Sequence, residues 1–275
     1  MNKLLYFLLC FAPAVLGQRP WNDLRARFAV DPTQGFYELP LTTNSPLMSN
    51  YVQVNANFNL PVNVYCYPND PRVCLMFDYS GNIAGIQISY LQQDVAGVTK
   101  YNYSSVGGFT YTDIFNTPAW GFRAYFTNPQ MLTTAGRQNL NEVVEGLWVY
   151  LRGQLYQIQR QEPDPSQLTI GPFNRQNCFP RMGQHYFYNL NTNVSCNELI
   201  PFYPLYDNGL VGFGIADFGQ ASTYQRVWYE QPPVRGVNAI IYNRPACLDT
   251  WVEQYGIYSL HVYFVDHPWN ISCPA

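Results

Sequence analysis

The sequence predicts a mainly β protein, in which antiparallel sheets form a sandwich or a barrel-like body stabilised by disulfides. Three observations support this fold class. One segment alternates strictly between apolar and polar residues, several pairs of apolar runs flank short turns rich in Gly and Asn, and helical periodicity is confined to two short segments. Many short strands separated by turn residues are typical of sandwiches and barrels. We therefore expect one or two short helices on a β body.

The strand signals are strongest near the middle of the N-terminal half. Residues 52–60 alternate at every position, which is the period of a strand with one buried and one solvated face. Hairpins are predicted where two apolar runs flank a short turn, at residues 74–90, 147–158 and 203–213. Further strands are predicted at residues 123–127, 185–189, 237–242 and 258–265.

The helical signals are weaker. Trp21, Leu24 and Phe28 have the spacing of one or two amphipathic turns. Residues 140–147 show apolar side chains at helical spacing, with Thr134 upstream as an N-terminal cap. These two segments are the predicted helices.

The N-terminus carries the features of a secretory signal peptide. Lys3 precedes an apolar run over residues 4–16, and Val15 and Gly17 supply the small-residue pattern of a cleavage site. The run is shorter than the roughly 20 residues that span a bilayer. We expect residues 1–17 to be removed and the mature, secreted chain to start at Gln18. A signal anchor is the alternative; no later stretch is apolar for long enough to insert stably in a membrane.

The cysteines support export to an oxidising space. Cys10 leaves with the signal peptide, and an even number in an exported chain predicts three disulfides. Cys66 and Cys74 flank turn residues, so we expect a local bridge between them. The other four are expected to pair among themselves, but the sequence does not determine which of them form each of the two remaining bridges. The six are Cys66, Cys74, Cys178, Cys196, Cys247 and Cys273.

Three glycosylation sequons accompany the cysteines. Asn102, Asn193 and Asn270 each stand two residues before a serine, with no proline between. In an exported chain this pattern predicts N-glycans on surface turns.

A change in amino-acid composition divides the predicted mature chain. Residues 162–183 are rich in Pro and Gly, which indicates a connector between an N-terminal β half, 18–161, and a C-terminal β half, 184–275. One continuous domain over 18–275 is the alternative, since single all-β domains reach this size.

Several functional classes are excluded or weakened. Acidic residues outnumber basic ones, 18 to 15, for a net charge of -3, so nucleic-acid binding through phosphate neutralisation is not expected. His261 and His267 would lie roughly 20 Å apart on one strand, and the C-x-x-C pairs of zinc sites are absent. We therefore predict no metal and no cofactor, although His185 and His261 could meet across neighbouring strands.

The aromatic content, 17% of residues, is the main functional clue. Two predicted strands carry rings on both faces, with Trp148 and Tyr150 on one, and Tyr186 and Tyr188 beside His185 on the other. Strands that are apolar on both faces are either sandwiched or line a cavity. We predict a non-enzymatic protein that binds a small amphipathic molecule or a glycan through an aromatic-lined pocket. Its expected ligand-binding residues are Trp148, Tyr150, Tyr186, Tyr188, His185 and His261.

Two alternatives remain from the sequence. Tyrosine-rich exported chains also form cross-linked matrices or secretions without a pocket. An extracellular hydrolase or metalloenzyme using His185 or His261 is the other alternative, since Ser259 would share a strand face with His261.

Overall fold

The structure is a computed structural model that describes residues 19–29, 31, 34–56, 58–164, 166–222 and 226–273. The predicted signal peptide, residues 1–17, lies outside the described residues. The described chain is mainly β, with two antiparallel sheets and four α-helices rather than the expected one or two. The strands are β1 Arg25–Arg27, β2 Phe36–Glu38, β3 Val52–Val54, β4 Val62–Tyr67, β5 Asp70–Asp78, β6 Ile83–Leu91, β7 Phe109–Ile114, β8 Thr117–Tyr125, β9 Leu147–Leu151, β10 Gln154–Ile158, β11 Thr169–Ile170, β12 Phe173–Phe179, β13 Gly183–Tyr188, β14 Phe202–Tyr206, β15 Leu210–Phe218 and β16 Ile257–Tyr263. The helices are α1 Gln92–Val95, α2 Tyr103–Val106, α3 Val234–Ile240 and α4 Cys247–Tyr255.

Each sheet is largely a meander of sequential strands. Sheet I has the order β10–β9–β8–β6–β5–β4–β3, with β7 paired to β8, and sheet II has the order β11–β12–β13–β14–β15–β16–β1–β2. All three predicted hairpins are confirmed, as β5–β6, β9–β10 and β14–β15. The alternating segment 52–60 forms a strand only over Val52–Val54.

Aromatic rings pack between the facing surfaces of the two sheets. The ring of Phe122 on β8 stacks on that of Phe202 on β14, with centroids 5.8 Å apart. Tyr90 on β6 meets Tyr258 on β16 edge to face at 4.9 Å. Such pairs bury large apolar areas and add directional attraction between rings. Much of the aromatic excess therefore forms the core between the sheets.

Three sequence predictions of secondary structure are wrong. Within 21–28 the chain forms strand β1, Arg25–Arg27, rather than a helix. Residues 139–146 are irregular, and Leu147 starts β9. Residues 237–242, predicted as a strand, belong largely to helix α3. Helices α3 and α4 cover the face of sheet II that points away from sheet I, where α3 contacts β12 and α4 contacts β15.

The predicted disulfide framework is confirmed. Cys66–Cys74 is the local bridge, and the other four cysteines pair among themselves as Cys178–Cys273 and Cys196–Cys247. The last of these ties the start of α4 to a short turn before β14.

Sheet II draws on both sides of the predicted connector, whereas all the strands of sheet I precede it. Within 162–183 the chain forms β11, all of β12 and the first residue of β13. The N-terminal strands β1 and β2 complete sheet II by pairing β1 with β16. In the part of the chain described, no helix is both long and apolar enough to cross a membrane.

Candidate ligand-binding cavity

A cavity of about 470 Å³ lies between sheet II and helix α3. We call it the histidine cavity, because His185 and His261 are among the side chains that line it. Its volume falls within the range of pockets that hold small organic ligands. Its walls are mainly apolar and come from the sheet, from α3 and α4, and from the segment before β14. Among them are Met182, Phe187, Leu199, Val237, Ile241 and Ile257.

The strand register gathers the polar residues of the cavity into one row across sheet II. Tyr203 on β14 opposes Gly214 on β15, Gly214 opposes His261 on β16, and His261 opposes Arg27 on β1. Directly paired residues lie on the same face of a sheet. The row therefore faces the cavity, while alternate residues such as Tyr258 face sheet I.

Gly214 makes room for the tyrosine in this row. A Cβ atom at this position would lie 2.2 Å from ring atoms of Tyr203. The missing side chain lets the Tyr203 ring cross β15, and its hydroxyl reaches Nε2 of His261 at 3.1 Å. A larger residue at position 214 would displace the ring and break this contact.

A chain of polar contacts continues from His261. Its Nδ1 lies 3.2 Å from Oε2 of Glu230, and Oε1 of Glu230 lies 3.3 Å from Nη2 of Arg27. Glu230 reaches this place because its backbone bridges to Ser259 on β16. A carboxylate can only accept a hydrogen bond. We therefore assign the hydrogen of neutral His261 to Nδ1, so that Nε2 accepts from the Tyr203 hydroxyl.

Burial controls the charges of the side chains that make these polar contacts. It lowers the pKa of His261, against the opposing effect of Glu230, so the imidazole is neutral at neutral pH. Burial alone would raise the pKa of Glu230, but the contacts with His261 and Arg27 outweigh it and hold that pKa below its usual value. Glu230 and Arg27 therefore form an ion pair. The polar floor of the cavity, which consists of Tyr203, His261, Glu230 and Arg27, carries no net charge.

His185 is one of several polar side chains of the cavity that lack a hydrogen-bond partner at one atom. The side chain is fully buried, and its Nδ1 lies 2.9 Å from the carbonyl oxygen of Gly183. Burial, with a smaller effect of His261, lowers its pKa to about 3. Since a carbonyl only accepts, Nδ1 carries the hydrogen and Nε2 is left as an acceptor. Nε2 has no hydrogen-bond partner among the described residues.

A buried carboxyl group lies at the edge of the same cavity. One oxygen of Asp217 accepts from the backbone N–H of Phe218 at 2.8 Å, and the other has no partner among the residues described. Burial raises the pKa of Asp217 to about 8, against the opposing effects of Phe218 and Tyr103. Asp217 is therefore a neutral acid over most of the pH range in which the fold would operate.

The structure divides the six residues predicted as a ligand site between different regions. His185, His261 and Tyr188 line the histidine cavity. Tyr186 packs between the sheets, with its ring centroid 5.3 Å from that of Tyr206. Trp148 and Tyr150 belong to sheet I and do not line this cavity.

Sequence reasoning missed Tyr203 and Arg27. It considered Glu230 only as one of several carboxylates and did not connect it with this site. Arg27 and Glu230 belong to segments at opposite ends of the sequence, and no local pattern links them. Gly214, in the alternating run Gly212, Gly214 and Ala216 of β15, is the only local signal of a flat strip that a large ring could cross.

The described residues contain no group of three or more His, Cys, Asp or Glu side chains placed to hold a metal ion. Comparisons of the chain with models of protein families, with curated proteins and with solved structures found no match.

Proposed function

We propose that this chain is a secreted, non-enzymatic binding protein that holds a small amphipathic molecule in the histidine cavity. The observation that carries the proposal is the combination of apolar walls with a buried acceptor, Nε2 of His185, that no described residue satisfies. Buried polar atoms are rarely left without a partner. A ligand that donates a hydrogen bond at its polar end and fills the walls with an apolar body meets both requirements.

The floor also favours an uncharged ligand. Arg27 and Glu230 already neutralise one another, and both are nearly inaccessible, with side chains 4% and 9% exposed. A charged group brought into this cavity would lose its hydration without gaining an unpaired opposite charge. An alcohol, a phenol or a secondary amine on a hydrophobic skeleton fits better, because each donates one hydrogen bond at low desolvation cost.

Three further features support an extracellular compartment. Three disulfides fit an oxidising space, and the sequence predicts a signal peptide over residues 1–17. The side chains of Asn102, Asn193 and Asn270 are all exposed, as N-glycosylation requires. We therefore propose a secreted glycoprotein.

The proposal is tested with N-phenyl-1-naphthylamine, a fluorescent probe that has apolar rings and one N–H donor. We expect the full chain to bind it with enhanced fluorescence. Val237→Trp places a large ring in the cavity from α3, whereas Ala239→Trp places the same ring on the exposed side of that helix. Binding should be lost in the first variant and kept in the second. Equal binding by both variants would refute the assignment of the cavity.

His185→Phe tests the hydrogen bond. A lost hydrogen bond of about 0.5–1.5 kcal/mol corresponds to roughly 2- to 12-fold weaker binding of the probe. The N-methyl derivative of the probe has no donor, so its affinity should not fall in the variant. An equal loss for both probes would show that His185 acts only through packing.

One observation favours the alternative of a hydrolase. His261 is oriented by the Glu230 carboxylate, as a general base often is. However, the hydroxyl group that contacts Nε2 of His261 belongs to Tyr203, and burial raises the pKa of Tyr203 well above its usual value. Hydrolysis of p-nitrophenyl esters that disappears in His261→Gln but persists in His185→Phe would favour the hydrolase over the binding protein.

The matrix alternative is limited by exposure. Among the described residues, the exposed tyrosines are Tyr79, Tyr111, Tyr150 and Tyr242. Oxidative coupling between chains needs accessible rings, and most of the others are held in the core.

A further inference from the structure

A second concave site lies on sheet I, on the face that points away from sheet II. We call it the outer cleft. Its volume is about 590 Å³, which is within the range of pockets that hold small molecules. It is bordered by residues 55–60, apart from the undescribed position 57, and by strands β7, β8 and β9. Phe122 on β8 packs toward sheet II, so the neighbouring Arg123 faces the cleft.

Uncharged side chains hold the Arg123 guanidinium in the cleft. Its Nε donates to Oε1 of Gln87 at 3.0 Å, and its Cζ lies 3.7 Å from the ring centroid of Phe58. Gln87 is itself oriented, because its Nε2 donates to Oγ of Ser89 at 3.1 Å. Tyr125 is the other polar neighbour, and burial raises the pKa of its hydroxyl, so it is neutral as well. The guanidinium is therefore fixed by groups that do not neutralise its charge.

Among the residues that the structure describes, no carboxylate is paired with Arg123. Asp113 borders the cleft, but it opposes Pro118 in the register of β7 and β8. Pro118 lies an even number of residues from Phe122 on the same strand, so Pro118 and Asp113 point to the face toward sheet II. The side chain of Asp113 is therefore on the other face of the sheet from the Arg123 guanidinium.

Arginines that are embedded elsewhere in the fold do have carboxylate partners. Nη1 of Arg72 lies 3.1 Å from Oδ1 of Asp70, and Nε of Arg137 lies 2.7 Å from Oδ2 of Asp78. A charge that is partly removed from water is costly unless an opposite charge compensates it. Arg123 is partly buried and lacks this compensation within the chain. An anionic ligand would supply it.

We propose that the outer cleft binds a small organic monocarboxylate. The ligand carboxylate accepts from the Arg123 guanidinium, whose planar fork of donors matches two carboxylate oxygens. Tyr150 is 37% exposed and meets Tyr125 edge to face at 6.1 Å, so an accessible ring is already oriented in the cleft. The apolar body of the ligand lies against the walls of the cleft, which include Ala56, Phe58, Leu60, Ile114, Tyr125 and Tyr150.

The single positive charge favours a carboxylate over a phosphate. A phosphate monoester carries about 1.5 to 2 negative charges at neutral pH, and one guanidinium would leave part of that charge without a partner in a partly apolar site. Asn55, Asn59 and Thr110 add only uncharged polar groups around the cleft. The ligand class therefore differs from that of the histidine cavity, in which the ion pair is already neutralised.

Isothermal titration calorimetry of the full exported chain tests the proposal with 2-naphthoate, 4-phenylbutanoate and octanoate, each beside its primary amide. We expect at least one carboxylate to bind, and its amide, which has a similar shape without the charge, to bind more weakly. Arg123→Met removes the guanidinium and keeps an unbranched side chain beside Phe58. It should weaken carboxylate binding by roughly 10- to 150-fold, which corresponds to about 1.5–3 kcal/mol, and amide binding by a smaller factor.

Two further variants separate the role of Arg123 from a general effect of charge. Arg235→Met removes an exposed arginine on α3 that does not line the cleft, and should leave the affinity unchanged. Arg123→Lys keeps the charge and should retain more of the affinity than Arg123→Met. Equal losses in Arg235→Met and Arg123→Met, or equal losses in the two variants at position 123, would overturn the proposal.

Urea unfolding without ligand checks that Arg123→Met folds. Its midpoint should be no lower than that of the wild type, because the variant removes a charge that has no opposite charge in the fold. A lower midpoint would show that the guanidinium is already compensated within the chain, and would overturn the proposal. So would failure of all three carboxylates to bind, or tighter binding of 2-naphthyl phosphate than of 2-naphthoate. Val237→Trp, which blocks only the histidine cavity, should not change carboxylate binding, so the two sites can fail independently.

Discussion

The ion pair beneath the histidine cavity gives the sharpest prediction about stability. Glu230→Gln keeps the shape of the side chain and removes its negative charge. The change leaves the Arg27 guanidinium, whose side chain is 4% exposed, without the anion that neutralises it. Because a buried charge without a partner is costly, we expect the variant to fold with a substantially lower free energy of unfolding.

The magnitude follows from the separation of the two groups. Unit charges 3.3 Å apart attract by about 5 kcal/mol at an effective dielectric constant of about 20. Breaking a buried pair by removing one partner typically costs about 3–5 kcal/mol. The glutamine oxygen can still accept from one neighbour, so we expect about 3 kcal/mol. Arg27→Met introduced with Glu230→Gln removes the stranded charge and should recover most of this loss.

Urea unfolding followed by circular dichroism and tryptophan fluorescence measures both effects. The midpoint should fall for the single variant and return in the double variant, with the slope against urea unchanged. A single-variant cost below about 1 kcal/mol would refute the account of a buried, mutually dependent pair. Costs that simply add in the double variant would also refute it.

Two further predictions concern the disulfides and the pH dependence of stability. Replacing both cysteines of Cys178–Cys273 by serine should lower the free energy of unfolding by about 4.7 kcal/mol, since the sequence separation is 95. The same replacement at Cys66–Cys74, with a separation of 8, should lower it by about 2.5 kcal/mol, because the shorter loop restricts the unfolded chain less. Equal shifts of the urea midpoint would contradict the loop argument. Asp217 stays protonated in the folded chain up to about pH 8, whereas the carboxyl group in the unfolded chain ionises near its ordinary pKa of 3.8. The contribution of Asp217 to stability is therefore complete below pH 3.8. It is lost as the pH rises toward 8, by about 1.4 kcal/mol per pH unit. Asp217→Asn should remove that slope from unfolding free energies measured between pH 5 and 8, and a slope equal to that of the wild type would show that the carboxyl is ionised in the fold.

The hairpins were predictable because their signals are local. Arg152 and Gly153, between β9 and β10, both have positive φ, at 50° and 79°, as a tight turn between twisted strands requires. The apolar runs on either side of such a turn need only pair with each other. The register of β14–β15 follows from the same kind of signal at Asn208, whose φ is 56°.

The wrong segments are those in which distant contacts override local preference. Residues 237–242 are rich in residues that favour strands, yet α3 starts directly after Pro233 and packs Val237 over the histidine cavity. In 140–147 the side chain of Glu142 turns to Arg160, with Nη2 at 2.9 Å, and to the backbone N–H of Trp21 at 3.3 Å. Those partners lie far away in the sequence, so helical spacing alone could not reveal them.

The candidate site was partly predictable for a similar reason. Histidine is rare in this chain, so His185 and His261 stood out, and the strand assignments allowed them to meet; their ring centroids lie 6.1 Å apart. The ring signal was less specific, because most aromatic side chains form the core between the sheets. Glu230 and Arg27 depend on the pairing of β1 and Glu230 with the same strand, β16, which a single sequence does not specify.

The central claim is that the histidine cavity holds a small molecule, and native mass spectrometry of the exported chain tests it most directly. The wild type, Val237→Trp and Ala239→Trp would each be incubated with N-phenyl-1-naphthylamine under matched conditions. The account predicts a one-to-one complex for the wild type and for Ala239→Trp, and none for Val237→Trp. Complexes of equal abundance in all three, or none in any of them, would contradict it.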